Sequence, residues 1–63
     1  MDYSKVKYVK PSVDGLDITK DKVYKFDHNL YELGMITNDA EVEIYIYIPE
    51  CPHLDDAPWI PCT

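Results

Sequence analysis

The residues best suited to chemistry lie close together near the carboxyl end of this chain of 63 residues. A zinc site could draw its thiolate, imidazole and carboxylate ligands from Cys51, His53 and Cys62, with Asp55, Asp56 or His28 as the fourth. The spacing lacks the C-x2-C pairs of standard zinc fingers, so it is a weak indication of metal. A disulfide between the two cysteines and a pair of free thiols are the other options. Free thiols are favoured because the chain is expected to be cytosolic, and no cofactor is predicted.

Catalysis is not indicated by the same residues. A Cys–His nucleophile pair requires a third group that orients the histidine, and the prolines around Cys51 leave no helix N-terminus to activate a thiol. The chain has two glycines, Gly15 and Gly34, and therefore no glycine-rich phosphate loop. A chain of this size also has little room for a substrate pocket. We expect a protein that is not an enzyme.

The charge of the chain is divided between its two parts. Residues 1–25 contain all six lysines and four aspartates, which gives a net charge of +2. Residues 26–63 contain eight carboxylates and neither lysine nor arginine, which gives −8. Neutralising nucleic-acid phosphates requires clustered basic residues, so direct binding of nucleic acid is not expected. The acidic part favours a basic protein partner or imitation of nucleic acid, unless the carboxylates serve solubility alone.

Targeting signals are not evident in the sequence. No segment approaches the roughly 20 apolar residues that a membrane-spanning helix needs. The first five residues, MDYSK, lack the apolar stretch of a signal peptide. These features predict a cytoplasmic protein without a membrane partner.

Alternating residues predict an all-β chain. In residues 41–48, Val42, Ile44, Ile46 and Ile48 alternate with Glu41, Glu43, Tyr45 and Tyr47. A period of two with β-branched residues on one side is typical of a half-buried strand. We therefore expect the aliphatic residues in the core and the acidic and aromatic residues on the outside. Further strand candidates are residues 5–10, 22–26 and 30–37.

The residues between these candidates predict how the strands are connected. Turn signals occur at Asp14-Gly15 and at residues 27–29 and 38–40. Because the connections are short, consecutive strands should pair antiparallel. Gly34 lies inside a strand candidate and indicates a bulge or a sharp bend there.

The composition of the chain changes after Ile48, where prolines become frequent. Four prolines divide the last segment, Pro49, Pro52, Pro58 and Pro61, so no regular sheet or helix is expected there. The tail is expected either to pack on the body of the protein through Leu54, Trp59 and Ile60 or to remain mobile. The apolar tryptophan favours packing. We predict one domain, residues 1–63, made of a small barrel of four to five antiparallel strands over about residues 4–49 and a proline-rich tail, residues 50–63.

A resemblance to a known group is carried by two segments, GLDITKDKVYKF (residues 15–26) and GMITND (residues 34–39). They resemble a pattern of small SH3-like proteins encoded by phages and prophages, in which a GLTKGKVY stretch precedes the second strand and an IINDDG turn joins the third and fourth. The similarity covers about residues 5–48. Ala40 replaces the usual glycine, and the tail has no counterpart. The resemblance implies an SH3-like barrel, with Leu16 and Ile18 covering one open end, and a phage protein in a bacterial cytoplasm; the group mostly lacks assigned activities.

The leading functional hypothesis is a protein-interaction module that binds, and thereby inhibits, a host protein. Tyrosine is enriched at interfaces because it buries a large area at a modest entropic cost. The candidate partner-binding residues are Glu41, Glu43, Tyr45, Tyr47, Asp55, Asp56 and Trp59. Two alternatives remain for the tyrosines: the tail folds back over them through Trp59, or two copies pair these strands edge to edge as a homodimer.

Two further functions remain open. The first is an acidic mimic of nucleic acid that blocks a DNA- or RNA-binding protein. Its charges would come from Asp27, Glu32, Asp39, Glu41, Glu43, Glu50, Asp55 and Asp56. Mimicry predicts binding that weakens steeply with salt, whereas an aromatic contact predicts salt-tolerant binding. The second is a structural component of a virion or another self-assembling role.

Overall fold

The structure is a computed structural model that describes residues 3–62. It contains six strands, β1 (Tyr8–Pro11), β2 (Tyr24–Lys25), β3 (Asp27–Leu30), β4 (Leu33–Thr37), β5 (Glu43–Tyr47) and β6 (Trp59–Cys62). A 3-10 turn, Pro52–Leu54, lies between β5 and β6. The described residues form no α-helix, and hence no helix that is long and apolar enough to span a membrane. The prediction of an all-β chain is confirmed.

The strands form two antiparallel sheets of three strands each. One sheet has the order β2-β1-β6, and the other has the order β3-β4-β5. The predicted antiparallel pairing of consecutive strands is confirmed for β1 with β2 and for the meander β3-β4-β5. The sheets do not close into one continuous barrel, and there are six strands where four to five were predicted.

The core is shared by both sheets and by the 3-10 turn. Its buried side chains are Val6, Val9, Ile18, Tyr24, Phe26, Ile36, Ile46, Ile48, Cys51, Leu54 and Trp59. Each fully buried aliphatic or aromatic side chain contributes about 1.5–3 kcal/mol through removal of apolar surface from water. The inward residues of β1, β4 and β5 alternate with less buried ones, as the period of two in these segments of the sequence predicts.

The turn predicted at residues 27–29 is wrong, because these residues lie in β3. Asp27 pairs with Met35 and His28 with Gly34, and the actual turn lies at Tyr31–Glu32. Tyr31 has a φ of 53°, a left-handed conformation that is unusual for tyrosine and that the sequence did not indicate. The strand predicted over residues 22–26 is shorter, because Lys22 and Val23 do not pair with β1. The N–H of Phe26 extends the β1–β2 register by donating to the carbonyl oxygen of Lys7. The chain passes from the first sheet to the second at Phe26.

Gly34 was predicted to mark a bulge or a bend, and a register shift does occur opposite it, between His28 and Leu30 of β3. The reason for glycine is close approach and not an unusual backbone angle, since neither glycine has a positive φ. A Cβ atom at residue 34 would overlap the ring of Phe26 and lie 2.8 Å from the carbonyl oxygen of Asp27. Gly34 therefore makes room for a core side chain.

The expectation that the proline-rich tail forms no regular sheet is wrong. β6 pairs with the whole of β1, from Tyr8 opposite Cys62 to Pro11 opposite Trp59. The N–H of Trp59 donates to the carbonyl oxygen of Ile48, so it points away from β1. Because backbone direction alternates along a strand, the nitrogen of Pro61 also points away from β1. The missing donor of this proline therefore costs the ladder nothing, since β6 is an edge strand.

Four further residues depart from the predictions made for their side chains. Val42 was assigned to the core, but it is 53% exposed, because β5 begins only at Glu43. Glu41 lies in the preceding turn with a φ of 61°. Leu16 was expected to cover one end of the barrel and is 87% exposed, although Ile18 is buried as expected. Ile60 is also exposed, whereas Leu54 and Trp59 pack the tail as predicted.

Candidate protein-binding face

The candidate site is the side of the β3-β4-β5 sheet that faces away from the core, which we call the outer face. Its centre consists of Tyr45 and Tyr47 of β5 and their cross-strand neighbours Met35 and Leu33 of β4. These pairs lie on one face because Gly34, Ile36 and Ile46, the residues between them, point into the core. Glu43 continues the same row opposite Thr37.

The outer face combines apolar surface with exposed phenol groups. Tyr45 is 57% exposed and Tyr47 is 44% exposed, whereas Met35 and Leu33 are half-buried. Leu30, which pairs with Leu33, is also exposed. Contiguous exposed apolar residues on a small protein are typical of interaction sites. The face therefore has the composition of a protein-binding surface.

Carboxylates surround the outer face. Glu43 lies on it, and Asp27 of β3 pairs with Met35. At the far end of β5, Tyr47 lines a shallow hollow of about 370 Å³ together with Pro49, Glu32 and Glu50. No lysine or arginine occurs after residue 25, so no strand of this sheet carries one. The surface is therefore complementary to a basic partner.

The structure does not bring all of the predicted partner-binding residues together. Trp59 lies in the core, where its ring meets that of Tyr24 edge to face at 5.7 Å, and it does not cover Tyr45 or Tyr47. Asp55 and Asp56 are exposed in the turn that follows the 3-10 turn, both with positive φ, and lie outside the outer face. The face instead includes Met35 and Leu33, which were not among the predicted partner-binding residues. Their alternation with Gly34 and Ile36 was a readable signal for this placement.

A second polar cluster centres on Asp39, in the turn between β4 and β5. Its carboxylate accepts hydrogen bonds from Lys22 Nζ at 2.6 Å, from the Thr19 hydroxyl at 2.7 Å and from the Tyr24 hydroxyl at 2.8 Å. The hydrogen bond from Lys22, followed by those from Thr19 and Tyr24, lowers the pKa of the Asp39 carboxyl to about 2. The Asp39 N–H also donates to the carbonyl oxygen of Asp17. This cluster ties the loop before β2 to the β4–β5 turn.

The same cluster affects its other members. The hydrogen bond to Asp39 raises the pKa of the Lys22 ammonium, which also lies 5.3 Å from the centre of the Tyr24 ring. Burial raises the pKa of the Tyr24 hydroxyl. Because these groups use their hydrogen-bonding capacity on one another, the cluster holds the two loops together and does not resemble a reactive site.

The two cysteines form neither a disulfide nor part of a metal-binding cluster among the described residues. Cys51 and Cys62 are both free thiols, and Cys51 is fully buried. Residues 3–62 contain no group of three or more histidine, cysteine, aspartate or glutamate side chains arranged to hold a metal ion. The weak zinc alternative of Cys51, His53 and Cys62 therefore does not form a site among them.

A wider hollow, of about 480 Å³, lies where the start of β3 meets β1 and β2. It is lined by two lysines, a carboxylate and several uncharged groups, namely Ser4, Val6, Lys7, Tyr8, Lys25, Phe26, Asp27 and His28. His28 is engaged with the carbonyl oxygen of Tyr31 at 2.8 Å. The mixed charges of this hollow select no single class of ligand. Comparisons of the chain with protein-family models, with curated proteins and with solved structures gave no match.

Proposed function

We propose that this protein is a non-catalytic interaction module that binds a basic protein through the outer face of the β3-β4-β5 sheet. The observation that carries the proposal is the pair of exposed tyrosines, Tyr45 and Tyr47, set beside Met35 and Leu33, with Glu43 in the same row and Glu32 and Glu50 at its end. Aromatic side chains in such a setting are the usual centres of binding energy, and the carboxylates favour a partner of opposite charge.

The proposal includes an SH3-like architecture. It is supported by the arrangement of the strands, since the first and last strands pair, the chain changes sheet at Phe26, and a 3-10 turn precedes the last strand. The two segments that carry the sequence resemblance, residues 15–26 and 34–39, also meet at Asp39. The resemblance is the only support for a phage origin, and on that basis the partner is a host protein that the module inhibits in the bacterial cytoplasm.

The test is affinity capture from a bacterial lysate, followed by mass spectrometry at low and at high salt. The variant Tyr45→Ser/Tyr47→Ser should lose the captured protein at both salt concentrations. The matched control is Tyr8→Ser, since Tyr8 is 47% exposed on β1 of the other sheet and should be dispensable. Capture that survives the double substitution but disappears at high salt would favour the nucleic-acid mimic instead.

A further inference from the structure

The strand β5 lies at the edge of its sheet, so one side of its backbone has no neighbouring strand. The free side can be identified from two hydrogen bonds that frame the β4–β5 ladder. The N–H of Asn38 donates to the carbonyl oxygen of Val42, and the N–H of Ile48 donates to that of Glu32. Both bonds continue the register in which Gly34 faces Ile46 and Ile36 faces Ile44.

These bonds determine which backbone groups of β5 face outward. In an antiparallel ladder, residues that bond to the neighbouring strand alternate with residues whose N–H and C=O point the other way. Residues 42, 44, 46 and 48 therefore bond to β4, and Glu43, Tyr45 and Tyr47 present their N–H and C=O groups at the open edge. Within residues 3–62 no backbone hydrogen bond to these outward groups occurs. The open edge is roughly 17 Å long, at about 3.4 Å per residue.

Resting on the function proposed above, we infer that β5 accepts an extended basic segment of the partner as an added antiparallel strand. An exposed row of donors and acceptors is a template for such pairing. In an antiparallel pair, the residues opposite Glu43, Tyr45 and Tyr47 have their side chains on the same face as these three. Lysine or arginine side chains at those positions would therefore lie on the outer face, beside its carboxylates and over the tyrosine rings.

The charge of this edge selects the basic segment over a second copy of the chain. Glu41 precedes β5, Glu43 lies in it, and Glu50 follows Tyr47 around the shallow hollow. Pairing two β5 strands would place both sets of carboxylates along one seam, where like charges repel. A partner strand with alternating basic residues would meet the same groups with attraction.

The test uses the intact chain and a synthetic peptide that alternates lysine with valine. Calorimetric titration should show binding that is unchanged when the valine backbone nitrogens are methylated and at least about tenfold weaker when the lysine nitrogens are methylated. The lysine nitrogens are the ones that should face β5 when the lysine side chains lie on the outer face. Equal binding of both methylated peptides would overturn strand addition while leaving the function of the outer face intact.

Variants of the protein supply a second measurement. Tyr45→Pro removes one outward N–H without removing a bond to β4, and Tyr45→Thr is its matched control, since it also removes the ring but keeps the N–H. The proline variant should bind the unmethylated peptide several-fold more weakly than the threonine variant, with circular dichroism confirming that both remain folded. Equal affinities of two folded variants would contradict the inference. Sedimentation that shows the free chain to be a dimer broken by Tyr45→Pro would also contradict it, because a second copy would then occupy the edge.

Discussion

Asp39 is the residue on which the contact between two loops depends. Three side-chain donors, from Thr19, Lys22 and Tyr24, converge on its carboxylate, and charged hydrogen bonds of this kind are stronger than neutral ones. The cluster lies at the surface, where solvent screens the ion pair, so its contribution to stability is modest. Its main effect is to hold the turn that starts β5, and through it the register of the outer face.

Asp39 gives the protein a pH dependence with a definite sign. Its folded-state pKa of about 2 lies below the ordinary value of 3.8, so the carboxylate stabilises the folded chain above about pH 4. That stabilisation is lost as the pH falls from about 4 to about 2. We expect Asp39→Asn to lower the urea midpoint at pH 7 and to flatten the decline below pH 4. The matched control is Asp55→Asn. Asp55 is exposed and has a left-handed backbone conformation that asparagine also adopts, so this substitution should change neither the urea midpoint at pH 7 nor the decline below pH 4.

Gly34 provides a second test at the scale of one residue. We expect Gly34→Ala to destabilise the fold by about 1–3 kcal/mol, since the added methyl group overlaps the Phe26 ring. Chemical denaturation of the single and double variants with Phe26→Leu measures the coupling. The double variant should lose less stability than the sum of the two single variants. Additive losses would show that the ring is not the obstacle.

Among the elements, β6 shows most clearly where sequence patterns stop being informative. The period of two in residues 43–47 predicts both the strand and its outer side chains, because alternation is a local property. A strand that contains Pro61 cannot be predicted from local preference, since it is tolerated only because its nitrogen faces the open edge. The turn at Tyr31 is equally hard to predict from local preference, since it requires a left-handed backbone at a tyrosine, with a φ of 53°.

The placement of Trp59 in β6 predicts a loss of stability when it is truncated. Trp59→Ala should lower the free energy of unfolding by about 3–5 kcal/mol, because it removes a fully buried aromatic side chain. Trp59→Phe should cost less, since the Trp59 Nε1–H is buried without a hydrogen-bond partner and gives no compensating bond. Urea unfolding monitored by circular dichroism measures both. An alanine variant of unchanged stability would contradict the placement of Trp59 in the core and would allow it a role in partner binding.

For the whole molecule, the separation of charge along the chain controls the rate at which a charged partner associates. The part of the chain that forms β3, β4 and β5 carries no lysine or arginine, so a basic partner is attracted at a distance and then held by short-range contacts. We expect the association rate with such a partner to fall by about tenfold or more between low and high salt. Tyr47→Ala should instead raise the dissociation rate, as surface plasmon resonance can show. A dissociation rate unaffected by Tyr47→Ala would show that the Tyr47 ring contributes nothing to binding at the outer face.

The open edge of β5 links the fold to the proposed function, and amide hydrogen exchange followed by NMR measures it directly. In the free chain, the amides of Ile44 and Ile46 should exchange slowly, because they bond to β4, while those of Glu43, Tyr45 and Tyr47 should exchange quickly. Addition of the lysine–valine peptide should protect the second set and leave the first unchanged. Protection of Glu43, Tyr45 and Tyr47 in the free chain, or no gain of protection at a saturating peptide concentration, would contradict the account.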